Sequence, residues 1–220
     1  MLLKRRSSIL LIVAAIIFIL SGCTEKKTTL EKMYAVLENV VNKEKVFEEQ
    51  QEPLVTLEKQ EKELYDQIIK QGMKEYDQIV KLSDEALVLA DKRKELLEKE
   101  TTSIKESEQE FAKIAKLKSQ LDDPALKAKA NDLYDVMMNR YEAHRDLYKQ
   151  YNEALQYDKE LYQMFKNKNL PLEDLEAKIN KLNEAYQKVY AANEQFNKFT
   201  VEYNEKKLLF YKKAGLKTKE

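Results

Sequence analysis

The scarcity of glycine and proline is the feature that most limits the folds open to this chain, which has only three of each in 220 residues. A sheet protein of this length needs a turn about every 8–12 residues, and such turns use Gly, Pro, Asn and Asp in clusters. Six residues cannot supply those turns. Because 35% of the residues are charged and 43% are hydrophobic, the composition favours long helices with solvated faces. We therefore predict an all-α protein.

Charge and motif content exclude several classes of function. The 39 basic and 39 acidic residues balance, so net charge gives no indication of a nucleic-acid partner. A single cysteine excludes an intramolecular disulfide framework and a multi-cysteine metal site. The sequence contains no nucleophile elbow, zinc-protease motif, calcium loop or phosphate-binding glycine loop. We predict no enzyme activity, no catalytic or metal-binding residues and no cofactor.

The first residues have the organisation of a secretory signal. A positively charged start, Lys4–Arg6, is followed by an apolar run of 12 residues from Ile9 to Leu20. That run is shorter than the roughly 20 residues that a transmembrane helix needs. The alternative is an N-terminal anchor that is not cleaved and that carries an incidental cysteine.

The last residues of this signal and the cysteine after them match a more specific motif. Leu20, Ser21, Gly22 and Cys23 match the bacterial lipobox, in which an apolar residue and two small residues precede a cysteine. The match implies that lipoprotein signal peptidase cleaves between Gly22 and Cys23, after a diacylglyceryl group has been attached to the Cys23 sulfur. Two acyl chains give stable membrane anchoring where one would be marginal. We therefore expect a protein anchored by lipid to the extracytoplasmic face of the cell membrane.

Cleavage at this position defines the expected domain organisation. Residues 1–22 form the signal peptide, 23–29 a lipidated tether, 30–215 a single elongated helical domain and 216–220 a short tail. The mature chain carries 36 basic and 39 acidic residues, so it is mildly acidic. Any attraction to an anionic partner must therefore be local.

Apolar residues recur three and four positions apart in four segments, which is typical of amphipathic helices. The predicted helical segments are 28–72, 73–121, 124–165 and 172–215. Thr28 and Glu31 have the spacing of a capping box, and Asp123 before Pro124 suits a helix start. Pro53 is interpreted as a kink within the first helix, and Gly72 as its left-handed end.

Similar segment lengths and short connections favour an elongated antiparallel four-helix bundle with coiled-coil-like packing. The apolar stripe of the second segment is interrupted by polar residues at Ser83, Lys94, Thr101 and Glu108. The alternative is therefore a three-helix bundle in which this segment projects or pairs in a dimer. The sequence leaves the oligomeric state open.

Tyrosine is the most unusual component of the second half, with ten of the thirteen tyrosines between Tyr134 and Tyr211. Tyr134, Tyr141, Tyr148 and Tyr162 are spaced by multiples of seven and share one stripe of the third helix. Such a stripe can form a sugar- or peptide-binding surface, because tyrosine combines a rigid ring with a polar hydroxyl. It can equally pack at the boundaries between helices, and we favour this second interpretation.

Two other features have both a functional and a packing interpretation. His144, the only histidine, lies three and four residues from tyrosines of the stripe, so we expect packing rather than acid–base catalysis. The lysines from 206–207 to 212–213 could contact anionic wall polymer or lipid head groups, although lysine is ordinary in a last helical turn.

The lipobox, the four Lys/Glu-rich helices and the tyrosine-rich second half together resemble the YkyA family of lipoproteins from low-GC Gram-positive bacteria. The segments that carry the resemblance are LSGC at 20–23, NRYEAHRDLYKQYNEAL at 139–155 and LYQMF at 161–165. The similarity extends from Cys23 to about Gly215. It implies association with the cell wall and supplies no catalytic motif.

Two hypotheses of function follow. The first is a non-enzymatic, lipid-anchored helical protein that binds cell-wall polymer or a wall-associated protein. The second is a coiled-coil adaptor for an envelope enzyme, in which the polar positions Lys94, Thr101 and Glu108 select the partner.

Overall fold

A computed structural model describes residues 28–71 and 75–216, and within these ranges it contains long α-helices and no β-strand. The helices are α1 (Thr29–Lys43), α2 (Lys45–Gln71), α3 (Tyr76–Phe111), α4 (Lys113–Ser119), α5 (Pro124–Phe165) and α6 (Leu172–Lys213). The first two form one long segment, as do α3 and α4, so the bundle has four segments. The prediction of an all-α bundle of four long helices is confirmed.

Ion pairs between neighbouring helices show that consecutive segments run antiparallel. In each case, residues further along one segment pair with residues nearer the start of the other. The pairs are Lys43–Glu106 and Glu61–Arg93 between the first two segments, Lys159–Asp91 and Lys166–Asp84 between α5 and α3, and Lys178–Glu160 and Lys206–Asp132 between α5 and α6. Because α3 packs against both α2 and α5, the alternative with a projecting second segment is wrong.

Helix ends follow the local signals in the sequence. Thr28 and Glu31 form the predicted capping box, in which each side chain accepts a hydrogen bond from the other's backbone N–H. Asp123 accepts from the first backbone N–H groups of α5, as expected of a residue before a proline at the first helical position. At the other end, Gly215 has a φ of 69° and closes α6 in a left-handed conformation. The predicted end at Gly72 lies outside the described residues.

The first segment is interrupted at Glu44 rather than at Pro53, which lies inside α2 and does not end it. The Ser103 side chain of α3 enters the helical ladder at this point. Its hydroxyl donates to the Lys43 carbonyl at 2.5 Å and accepts from the Phe47 N–H at 3.1 Å. These two backbone groups would otherwise bond directly to each other. A polar side chain inserted into the ladder is a recognised cause of a bend.

Replacing Ser103 by alanine should therefore cost about 1–2 kcal/mol of unfolding free energy, since the hydroxyl serves two partly buried backbone groups. Thr102→Ala is the matched control, because its hydroxyl bonds only to the Glu98 carbonyl one turn back on an exposed face. Urea denaturation of the two variants gives the comparison. Equal unfolding free energies of the two variants would show that α1 and α2 form one continuous helix, with the direct backbone bond, when the serine hydroxyl is removed.

The second segment divides at Ala112, between α3 and α4. The buried stripe continues across the division in the same register, because Ile114 follows Phe111 by three residues and both are fully buried. Upstream of the break Ala90, Leu97 and Ile104 are buried on the same stripe.

Three apolar clusters follow one another along the bundle. The largest surrounds the start of α1, α4 and the end of α6, and includes Met33, Phe111 and Phe210. A small middle cluster contains Leu54, Leu97 and Tyr151. The third lies near the α5–α6 connection around Leu161 and Tyr162. Buried charged side chains, among them Arg93 and Arg140, lie in the core outside these clusters.

Candidate functional site

The densest polar chemistry in the described structure lies around two buried arginines. Arg93 comes from α3 and Arg140 from α5, and their residues are only 2% and 4% exposed. Each side chain lies where the helical pattern directs it into the bundle, beside the apolar residues of its own helix. Buried guanidinium groups require partners, because an unpaired buried charge is strongly unfavourable.

All of the Arg93 donors are occupied by partners from α2, α5 and α6. Nη1 donates to the Glu61 carboxylate at 2.7 Å and to that of Asp158 at 3.1 Å. Nε and Nη2 donate to the Tyr151 hydroxyl at 3.0 and 2.8 Å, and Nη2 also donates to the Tyr186 hydroxyl at 3.0 Å. A guanidinium group has five N–H donors. No donor is therefore left for a ligand.

The hydrogen bonds continue outward from this centre. The Tyr151 hydroxyl donates to Glu58 at 2.7 Å, and the Tyr186 hydroxyl donates to Asp158. We call Arg93, Glu61, Asp158, Tyr151 and Tyr186 the Arg93 centre. It joins all four segments of the bundle through side chains alone.

The Arg93 centre holds more negative than positive groups, which alters how they titrate. Burial raises the pKa of Glu61 to about 7, against the opposing attraction of Arg93. Burial also raises the pKa of Asp158, and the pKa values of Tyr151 and Tyr186 are well above their usual range for the same reason. A proton held on Glu61 would leave one positive and one negative charge in the centre.

The second arginine stabilises the break between α1 and α2. Arg140 binds the Glu44 carboxylate with two parallel hydrogen bonds of 2.8 and 2.9 Å, and its Nε donates to Thr200 at 2.9 Å. Its guanidinium carbon also lies 4.8 Å from the centroid of the Phe196 ring. Bidentate pairing of this kind fixes geometry as well as charge. Both arginine centres thus join helices of the bundle through ion pairs and hydrogen bonds.

The tyrosine stripe is divided between core and boundary. Tyr141 and Tyr162 are buried, at 0% and 4% exposure. Tyr134 is half-buried and stacks on Phe111 with ring centroids 5.6 Å apart, and Tyr148 is half-buried against the middle cluster. The four rings therefore do not form one contiguous exposed face.

His144 lies among aromatic side chains. The residue is 3% exposed, and its ring is 5.9 Å from that of Phe47 and 5.4 Å from that of Phe196. Burial is the main reason that its pKa is lowered to about 4, and nearby Arg140 and Arg145 add to the effect. His144 is therefore neutral at physiological pH, and its surroundings favour packing.

Comparison with known proteins identifies the family. A sequence model of the YkyA family, described as "Putative cell-wall binding lipoprotein", matches residues 28–213. The chain is also 35% identical to the "Uncharacterized lipoprotein YkyA" of Bacillus subtilis (strain 168), over 99% of this chain and 98% of that protein. The chain belongs to the YkyA family. The resemblance noted from the sequence is thus confirmed, and this YkyA-family chain is a member of a lipoprotein family.

A solved structure supports the fold of this YkyA-family chain. The crystal structure of a conserved protein of unknown function from Staphylococcus aureus superposes with a TM-score of 0.73. It covers 84% of this chain and 97% of the other at 19% identity. At that level of identity the likeness concerns the helical bundle alone.

The lipobox residues Leu20, Ser21, Gly22 and Cys23 lie outside the described residues, so lipid attachment stays a prediction for this member of the YkyA family. Within residues 28–71 and 75–216, no helix is both long and apolar enough to cross a membrane. The same ranges contain no group of three or more His, Cys, Asp or Glu side chains that could hold a metal ion.

Two open grooves on the bundle surface have mixed linings. One of about 490 Å³ is bordered by Leu87 of α3, Lys159 of α5 and Lys178 of α6. The other, of about 500 Å³, includes Val46 of α2 and Lys99 of α3. Neither groove contains His144 or a member of the Arg93 centre.

Proposed function

We propose that the mature chain is a non-enzymatic, lipid-anchored helical protein on the extracytoplasmic face of the cell membrane that binds cell-wall polymer or a wall-associated protein. The observation that carries the proposal is the family match, which spans nearly the whole bundle from residue 28 to 213. The anchor would be a diacylglyceryl group on Cys23, attached through the lipobox formed by Leu20, Ser21 and Gly22.

The interior of the bundle supports a binding role on the outer surface. The Arg93 donors are all occupied within the chain, and His144 lies among packed aromatic rings. Helices α5 and α6 each have 42 residues, which corresponds to a rod of about 63 Å at 1.5 Å per residue. Such a rod can carry a binding surface well away from the membrane.

Sedimentation with isolated cell walls tests this proposal. The mature chain with Cys23→Ser should pellet with walls that retain teichoic acid, and salt should weaken the binding as it screens surface charge. Walls stripped of teichoic acid, tested in parallel, identify which polymer is bound. Failure to pellet with either preparation, while the protein remains folded by circular dichroism, would contradict the wall-polymer version.

A protein partner is the second candidate, and exposed apolar side chains on α6 favour it. Tyr190, Val201 and Leu208 share its outer face and are 43%, 59% and 55% exposed. The polar positions Lys94 and Glu108 already have partners within the chain, since Lys94 lies 4.0 Å from Glu98 and Glu108 pairs with Arg145 at 3.0 Å. Cross-linking in intact membranes distinguishes the candidates, because an adaptor would yield one dominant protein partner.

A further inference from the structure

One end of the bundle collects basic side chains, and it is the end from which the predicted tether emerges. Leu30 near the start of α1 packs into the same apolar cluster as Leu117 of α4, Leu126 of α5 and Leu216 after α6. The beginning of the described chain, the α4–α5 turn and the end of α6 therefore lie together. We call residues 28–32, 113–129 and 212–216 the anchor end.

The anchor end is rich in lysine. It contains eight lysines and three carboxylates, namely Lys32, Lys113, Lys116, Lys118, Lys127, Lys129, Lys212 and Lys213 against Glu31, Asp122 and Asp123. The opposite end of the bundle, residues 67–71, 75–81 and 162–176, contains four lysines and five carboxylates. We call this the far end. The anchor end thus has five more lysines than carboxylates, whereas the far end has one more carboxylate than lysines.

The carboxylates at the anchor end are largely committed, while several of its lysines are free. Glu31 completes the capping box at Thr28, and Asp123 caps α5 and lies 3.7 Å from Lys213. In contrast, the side chains of Lys32, Lys116 and Lys212 are exposed, and no hydrogen bond or ion pair to their ammonium groups occurs within the described residues. Their charges are available to an external partner.

The tether limits how far this surface can be from the membrane. Thr28 is five residues from Cys23, and five extended residues reach at most about 18 Å. Anionic phospholipids attract lysines near the surface, and the attraction falls off within a Debye length of about 8–10 Å. The tether therefore allows the anchor end to approach the head groups closely while Cys23 is inserted.

We propose that the anchor end docks on the anionic phospholipid surface of the membrane in which Cys23 is embedded. This inference rests on the proposed lipid anchor and adds a second, electrostatic contact to it. The docking surface is presented by Lys32, Lys116 and Lys212. It orients the rod so that the far end, with its excess of carboxylates, points away from the bilayer.

The test uses the lipidated protein, extracted from membranes and reconstituted into vesicles. The lipid occupies the chain's only cysteine, so an introduced cysteine can be labelled selectively. Gln120→Cys places a fluorophore at the exposed anchor end, and Asn169→Cys places one at the exposed far end. Energy transfer to an acceptor on lipid head groups then reports the distance of each end from the bilayer.

We expect transfer from the Gln120 site to be at least about twofold stronger in vesicles of equal phosphatidylglycerol and phosphatidylcholine than in phosphatidylcholine alone. About 0.5 M NaCl should abolish the difference, since the Debye length shortens to about 4 Å. The triple variant Lys32→Gln, Lys116→Gln, Lys212→Gln should also abolish it. Transfer from the Asn169 site should stay weak under all conditions.

A triple variant at the far end, Lys70→Gln, Lys81→Gln, Lys168→Gln, is the matched control because it removes the same charge. Equal transfer from the Gln120 site in both lipid compositions would overturn the docking while leaving the anchor intact. So would loss of wall sedimentation by the anchor-end variant without any change in vesicles, because the lysines would then serve wall polymer. Mass spectrometry of Cys23 tests the anchor separately, and an unmodified thiol would overturn both.

Discussion

Replacing Arg93 by methionine should destabilise the bundle by about 3–5 kcal/mol, the largest effect that we expect from a single substitution. The change leaves Glu61 and Asp158 buried without the guanidinium that holds both at 2.7 and 3.1 Å. It also removes a donor from the Tyr151 and Tyr186 hydroxyls. Methionine keeps most of the volume, so lost charge compensation rather than a cavity dominates the cost.

Urea and thermal denaturation measure this effect. The expected loss corresponds to a fall in Tm on the order of 10 °C for a domain of this size. Lys94→Met is the matched control. Lys94 follows Arg93 in the sequence, but its side chain is exposed and its Nζ lies 4.0 Å from the Glu98 carboxylate. Such exposed pairs contribute about 0–1 kcal/mol.

A triple variant separates the net contribution of the centre from the penalty of breaking it. Arg93→Met combined with Glu61→Leu and Asp158→Leu leaves no unpaired charge in the interior. It should recover much of the loss, because apolar replacements of buried ion pairs are often neutral or stabilising. If Arg93→Met alone lowered the unfolding free energy by less than about 1 kcal/mol, water would have to reach the two carboxylates. The Arg93 centre would then not be sealed from solvent.

The apolar pattern was sufficient to predict the four segments, because burial of one face is what stabilises each helix. It did not identify the arginine centres. Arg93 lies three residues after Ala90 and four before Leu97, so it occupies an apolar-stripe position. The polar position that interrupts the stripe in the sequence pattern is the neighbouring Lys94, and one residue on a helix is a rotation of about 100°.

The two helix breaks show a second limit. Neither Glu44 nor Ala112 is a glycine or a proline, so no local signal marks them. At Glu44 the cause is tertiary, since Ser103 inserts its hydroxyl from a position 56 residues away from Phe47. The burial of the tyrosine stripe could not be predicted from the sequence for the same reason. A repeat of seven places rings on one face, whereas the neighbouring helices decide whether that face is covered.

Two buried groups should make the stability of the bundle depend on pH in opposite directions. With its pKa raised to about 7 from 4.5, Glu61 keeps a proton in the folded state that the unfolded chain has released between these values. The stability that it contributes is therefore complete below pH 4.5 and is lost as the pH rises to 7. A shift of this size corresponds to about 3 kcal/mol.

His144 acts in the opposite sense. Its pKa is lowered to about 4 from 6.5, so the unfolded chain binds a proton below pH 6.5 while the folded protein remains neutral. The stability associated with neutral His144 is present above pH 6.5 and is lost as the pH falls to 4. The size is again about 3 kcal/mol.

The native protein should therefore show little change in unfolding free energy between pH 6.5 and 4.5, because the two contributions offset each other. His144→Phe preserves the packing between Phe47 and Phe196 and leaves the Glu61 contribution alone, so its stability should rise by about 2–3 kcal/mol as the pH falls from 7 to 4.5. Glu61→Gln should lose about as much over the same range. Urea denaturation at several pH values measures how the unfolding free energy of each protein changes with pH. This change does not depend on the pH-independent loss of stability that either substitution causes. Parallel curves for the native protein and both variants would show that neither group titrates in this window.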